Sequence, residues 1–274
     1  MIGIDVAGIR VAVTGASGVI GLAIAKAFLE NGASVANWDL SESPEAKAAG
    51  DAHPGRYRFI QADLVEETQA KAAAQATAGA FGGIDVLVNN AGIIAKQEIE
   101  QLDTSTLDRL YRVNIRGAAF AAKYAVPYLK KSGRGRIINM SSVQALLGME
   151  TYTPYTFTKA ALSGMTRVWA LELAGYGITV NAICPGWADT GMTRTALVER
   201  MAGLHGLSIE AARELILSYV PQHRLIDPDE IAFAALFLAS TLGAAVNGVD
   251  LSLDAGVANC AKAGLSMLSP FEKL

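Results

Sequence analysis

An α/β fold, a doubly wound parallel sheet of seven strands covered by helices on both faces, is what the sequence predicts, and three observations predict it. Short β-branched runs alternate along the chain with longer helical patterns. Consecutive runs are too far apart for hairpins, so they pair in parallel and need cover on both faces. A glycine-rich turn follows the first run and opens the first helix.

The strand runs fall at 9–13, 34–38, 57–60, 84–88, 136–139, 178–183 and 249–252, and the helical patterns at 18–31, 64–80, 104–131, 155–176 and 228–240. No repeat, linker or low-complexity tract divides them. With 274 residues, 51% of them hydrophobic, residues 1–274 are expected to form one domain around a large core. The stretch 190–222 interrupts the alternation, setting Met192, Leu197, Met201 and Leu204 among polar residues. It reads as a helical flap on the ligand-binding side of an open sheet, or equally as a surface excursion packed on the core.

Bulk properties remove several function classes. The net charge of −3 and the lack of a basic run give no footprint for nucleic acid or an anionic membrane. The longest apolar segment, 231–239, is too short to span a bilayer, and residues 1–10 do not form a signal peptide. Cys184 and Cys260 form no close pair, which fits a reducing compartment, so a cytoplasmic protein is expected. His53, His205 and His223 are scattered without metal-ligand spacing, and no metal site is expected.

Two clusters carry chemistry. In the first, Gly15, Ser17, Gly18, Val19 and Ile20 sit where the first strand turns into the first helix. Glycines there let a pyrophosphate approach backbone N–H groups at the positive end of the helix. Asp39 ends the second strand at the interval expected for a carboxylate that binds an adenosine ribose 2′-OH, and residues 40–45 contain no Arg or Lys to attract a 2′-phosphate. This is a Rossmann-type arrangement that selects NAD over NADP.

In the second cluster, Tyr155 and Lys159 are one helical turn apart on one face. Ionising a phenol of pKa ~10 near pH 7 requires about 4 kcal/mol. An ammonium about 4 Å away supplies roughly that at an effective dielectric of ~20. Among eight tyrosines only Tyr155 has a lysine four residues on, and Ser141-Ser142 precedes it at the end of the fifth strand, where a hydroxyl can bond a reacting oxygen.

These features, in this order from Arg10 to about Gly256, resemble the short-chain dehydrogenase/reductase family. The 14–21 loop resembles its cofactor turn, Asp63 and Leu64 its adenine contact, Asn89-Asn90-Ala91-Gly92 its turn after the fourth strand, and Pro185-Gly186 with Thr190 its nicotinamide-side loop. Ser142, Tyr155 and Lys159, with Asn114, match its catalytic pattern. The resemblance implies Tyr155 as general acid/base and Lys159 as both ribose ligand and modulator of the tyrosine pKa. It implies Ser142 as stabiliser of the substrate oxygen and Asn114 as holder of a relay water. Ser142 is chosen over Ser141, which reads as structural, because it stands thirteen residues before Tyr155. Val19 departs from one branch of the family, which has glycine there, and this puts the pyrophosphate contacts in question. The resemblance also implies a homotetramer.

The family resemblance makes an enzyme the expected function, NAD its cofactor and a small alcohol or ketone its partner. A non-catalytic NAD sensor or scaffold would be expected to lack one of the four catalytic positions, and all four are present. Residues 177–187 and 211–215 further resemble 3-hydroxybutyrate dehydrogenases, whose carboxylate-holding positions correspond here to Ile94, Gln144 and Tyr152, with Trp187 kept. None of the three is cationic, and burying an unpaired carboxylate costs several kcal/mol. The expected substrate is therefore a neutral secondary alcohol, cyclic or polyol-like, with Gln144 either bonding a second polar group or standing as an ordinary loop residue. A 3-hydroxy acid or 3-oxoacyl substrate is the alternative, with Arg194 or Arg200 of the flap as its anchor.

Overall fold

The computed structural model describes residues 3–260. Its sheet contains β1 (Arg10–Thr14), β2 (Ser34–Asp39), β3 (Tyr57–Gln61), β4 (Val86–Asn89), β5 (Arg136–Met140), β6 (Thr179–Pro185) and β7 (Asp250–Leu253). They lie in the order β3-β2-β1-β4-β5-β6-β7, every neighbouring pair parallel. Each is within two residues of its expected run. β4, β5 and β6 are buried along their whole length, which is why their sequences read as nearly unbroken apolar runs rather than alternating ones. The strand order reverses between β1 and β4, and ligands of open α/β sheets sit beyond the carboxyl ends at such a point.

The helices are α1 (Val19–Glu30), α2 (Pro44–Asp51), α3 (Glu67–Phe81), α4 (Thr104–Leu110), α5 (Ala118–Ser132), α6 (Thr153–Ala174), α7 (Gly191–Thr193), α8 (Arg200–His205), α9 (Ile209–Ser218) and α10 (Pro228–Ala239). On one face of the sheet, Ile24 and Phe28 of α1 pack with Ile231 and Leu238 of α10 over Val11, Val13 and Val35. On the other, small side chains of α3 and α5, including Ala70, Ala73, Ala121 and Ala125, join Trp38, Leu87 and Ile137 in a second core. The buried Trp38 indole N–H donates to Thr77 Oγ1 at 2.8 Å, so this large ring carries no unpaired donor.

Two elements differ from the sequence reading. The pattern 104–131 is not one helix: a π-helical turn, Tyr111–Gly117, separates α4 from α5 and carries Asn114. α2 was not expected, although Ser43 caps it by accepting from the Ala46 N–H at 3.2 Å and Pro44 fits its first turn. In the 190–222 stretch, α7, a π-turn (Arg194–Glu199), α8 and α9 enclose a small apolar cluster of Leu197, Val198, Ala202, Ala212 and Ile216. Trp187 packs against both this cluster and the main core, joining the two.

Candidate active site

A cavity of about 740 Å³ opens at the carboxyl ends of β1 and β4, within the range of cofactor clefts. Every residue expected to touch the cofactor lines it, from Gly15 in the β1–α1 turn to Thr190 before α7. The sequence reading missed the lining residues Leu40, Ser41, Ser43, Val65 and Thr193, of which the first three simply continue the chain from Asp39.

Residue size shapes the dinucleotide end. Gly15 has φ +67°, and a Cβ on Gly21 would sit 2.3 Å from the Gly15 carbonyl oxygen and 2.6 Å from Asn90 Nδ2. Thr14 Oγ1 accepts from the backbone N–H groups of Asn90 and Ala91, both at 2.9 Å, and Asn90 Nδ2 donates to the carbonyls of Thr14 and Gly15 at 3.0 and 3.1 Å. These bonds lock the loop after β4 to the loop after β1, and Thr14 was not singled out from sequence. Gly18 caps α1 without a side-chain hydrogen bond, so no side chain occupies the first N–H groups of the helix and they suit a phosphate. Val19, the first residue of α1, is half exposed and lines the cavity beside this turn. Asp39 Oδ2 accepts from the Ser17 N–H at 3.0 Å and Oδ1 from the Leu40 N–H at 2.7 Å, which fixes the carboxylate at the rim. The residues fit a dinucleotide.

At the other end, Ser142, Tyr155 and Lys159 line the same cavity. Ser142 leaves β5 and caps a 3-10 turn (Val143–Ala145) by accepting from the Gln144 N–H at 3.2 Å. Lys159 Nζ donates to the Met140 carbonyl at 2.7 Å, and Ser141 Oγ donates to the Lys159 carbonyl at 3.0 Å, the structural role expected for Ser141. Burial pushes the Tyr155 phenol up to about 12, against a lowering by its hydrogen bond with Ser142. Burial likewise pushes the Lys159 ammonium down to about 8. The sequence arithmetic set the lysine charge against the phenol but omitted desolvation, which here dominates both groups.

Asn114 lies behind this surface rather than on it. Its Oδ1 accepts from the Ile93 N–H at 2.8 Å, and its Nδ2 donates to the Ile93 carbonyl at 2.9 Å and to Thr158 Oγ1 at 3.0 Å. A Cβ on Gly92 would stand 3.4 Å from both Asn114 Oδ1 and Lys159 Nζ, so the two atoms flank the same stretch of backbone.

Ile94, Gln144, Tyr152 and Trp187 do not line the cavity that gathers the other residues. Tyr152 is buried, its ring edge-on to Tyr155 at 6.5 Å between centroids. Gln144 Oε1 accepts from Thr156 Oγ1 at 3.3 Å, and the buried Trp187 Nε1 has no acceptor among the described residues. A parallel bridge between Gln97 and Tyr152 brings Lys96 4.4 Å above the Tyr152 ring, where burial and the charge of Arg200 push its ammonium down to about 8. Lys96 was missed because only this pairing of distant loops places it there. Among the described residues no group of three His, Cys, Asp or Glu side chains is placed to hold a metal, and no helix is long and apolar enough to cross a membrane.

The sequence profile described as "Enoyl-(Acyl carrier protein) reductase" matches residues 15–258. A D-beta-hydroxybutyrate dehydrogenase of Cupriavidus necator is 35% identical over 89% of this chain and 95% of its own. A cis-4-hydroxycyclohexanecarboxylate dehydrogenase of Sinomonas cyclohexanicum is 35% identical over 90% of this chain and 96% of its own. The solved structure of Thermoplasma acidophilum aldohexose dehydrogenase superimposes with a TM-score of 0.83 at 31% identity, covering 97% of this chain and 99% of that one.

Proposed function

The chain belongs to the short-chain dehydrogenase/reductase family, oxidoreductases that act on CH–OH groups with NAD(P), and from that premise we propose that it is an NAD-dependent dehydrogenase interconverting a neutral secondary alcohol, cyclic or polyol-like, and its ketone. The observation that carries the reading is one cavity lined at one end by the glycine turn with Asp39 and at the other by Ser142, Tyr155 and Lys159.

Bound NAD would supply the hydride acceptor and a positive charge near the phenol. Ser142 Oγ orients the substrate hydroxyl, and Tyr155 Oη takes its proton as the C–H hydrogen leaves with its electron pair. Lys159 supplies positive charge beside the phenolate and returns the proton towards solvent, with Asn114 fixing the Ile93 loop beside that path. Asp39 prefers a ribose diol to a 2′-phosphate through charge.

The neutral substrate rests on Ile94, Gln144 and Tyr152, none cationic, at the positions matched to the hydroxy-acid enzymes. A second reading, a 3-hydroxy acid or 3-oxoacyl substrate, is favoured by Lys96 above Tyr152 with Arg200 near it. Comparing kcat/KM for 3-hydroxybutyrate with that for cyclic alcohols and sugar alcohols decides between them. More than tenfold preference for the acid, lost in Lys96→Met, would establish the second reading and sink the first. A homotetramer is part of the proposal, supported by exposed apolar side chains along α6, Phe157, Val168 and Leu171; light scattering checks it.

A further inference from the structure

Asn37, in the middle of β2, is fully buried and yet polar. Its Nδ2 donates to Ser17 Oγ at 3.0 Å and to the Tyr57 hydroxyl at 3.0 Å, and among the described residues no donor reaches its Oδ1. A buried acceptor left unmade costs about 1–3 kcal/mol. An aliphatic side chain would suit this strand better, so stability alone does not account for the amide. Its two acceptors both lead to the ribose end of the cavity. Ser17 donates its backbone N–H to Asp39 Oδ2, and the Tyr57 hydroxyl, its pKa raised first by burial, lies within the influence of the carboxylates of Asp39 and of Glu42 in the loop that follows it, which push it up further.

We propose that Asn37 is a positioning residue for cofactor choice: by holding Ser17 and Tyr57 together it fixes the Asp39 carboxylate in the orientation that accepts a ribose diol. The inference rests on the NAD reading above and adds the residues that set its precision. Asn37 touches neither cofactor nor substrate. It acts through Ser17, whose N–H keeps one carboxylate oxygen turned towards the glycine turn.

The test is fluorescence titration of wild type, Asn37→Leu and Tyr57→Phe with NADH, NADPH and reduced nicotinamide mononucleotide, which lacks the adenosine half. Asn37→Leu keeps volume but removes both donors; Tyr57→Phe removes one hydroxyl from a half-buried side chain and serves where the first variant does not fold. The expected result is an NADH Kd raised about tenfold, the size of a lost charge-assisted hydrogen bond. The mononucleotide Kd should stay unchanged, with the NADPH-to-NADH ratio of Kd values falling towards one. Unchanged NADH affinity in the folded variants overturns the proposal, as does a parallel loss of NADH and mononucleotide binding, which marks general damage. The wild-type comparison separately tests the premise: tighter binding of NADPH than NADH refutes the NAD reading and the inference with it.

Discussion

The Lys159 ammonium lies 5.6 Å from the centroid of the Tyr155 ring, while its hydrogen bond goes to the Met140 carbonyl at 2.7 Å. The two side chains are neighbours without being a hydrogen-bonded pair; burial keeps the phenol neutral and weakens the ammonium, which at a pKa of about 8 still carries its charge near pH 7. Charge from the cofactor and hydrogen bonding by Ser142 must overcome that desolvation before the phenol can act as a base.

Tyr155→Phe is expected to lower kcat by about 10²–10⁴, the share of a general acid/base, while the NADH Kd stays within a few-fold because the ring is kept. In wild type, kcat/KM for alcohol oxidation should rise with pH as the phenol ionises. Its apparent pKa should lie below the value of about 12 that burial imposes. Steady-state profiles from pH 6 to 10 check both statements, and near-normal turnover in Tyr155→Phe removes the tyrosine from the proton path.

Lys159→Met should inactivate the enzyme and stabilise it without cofactor. The folded pKa of about 8 lies below the ordinary 10.5, so folding favours the neutral amine. The cost is absent above pH 10.5, develops as pH falls towards 8 and is fully present below 8. At pH 7 the substitution should raise Tm by several degrees, from relief of up to roughly 3 kcal/mol. At pH 10.5 the gain should vanish, and an equal gain at both values would show that the lysine charge is not its source.

Asp39→Ala should raise the NADH Kd roughly 10–100-fold, the value of hydrogen bonds to a charged group, and improve NADPH binding. Titration with both nucleotides is the measurement, and an unchanged preference would mean that Asp39 only braces Ser17.

Gly21→Ala should cost about 1–3 kcal/mol, because the added carbon meets the Gly15 carbonyl at 2.3 Å and Asn90 Nδ2 at 2.6 Å. Thermal melting should show a drop of several degrees together with weaker NADH binding. A Gly21→Ala protein that melts and binds like wild type would show that the turn yields at no cost.

What was legible in the sequence was what depends on local composition. β1, β4, β5 and β6 are rich in β-branched residues and almost wholly buried, so their runs stand out, and Gly15, Asp39, Ser142, Tyr155 and Lys159 sit at strand ends or helix starts where spacing alone places them. What was not legible depends on contacts between distant segments. Lys96 reaches Tyr152 only because residue 97 bridges residue 152, and Asn37 looks like an interruption of β2 until Ser17 and Tyr57 close around it. α2 was hidden for another reason, since its eight residues bury only Ala46 and Ala49 and leave almost no periodic signal.

The π-turn at Tyr111–Gly117 has an evolutionary consequence. Such a turn behaves as one extra residue slipped into an α-helix, and each helical residue turns the chain by about 100°. Deleting any one residue between 111 and 117 would let α4 run straight into α5. Either Asn114 would then swing away from Ile93 and Thr158, or the alanine face of α5 would rotate off the sheet. Insertions and deletions in descendants of this chain should therefore collect in surface connections such as 52–55, and spare this turn even where its side chains are exposed.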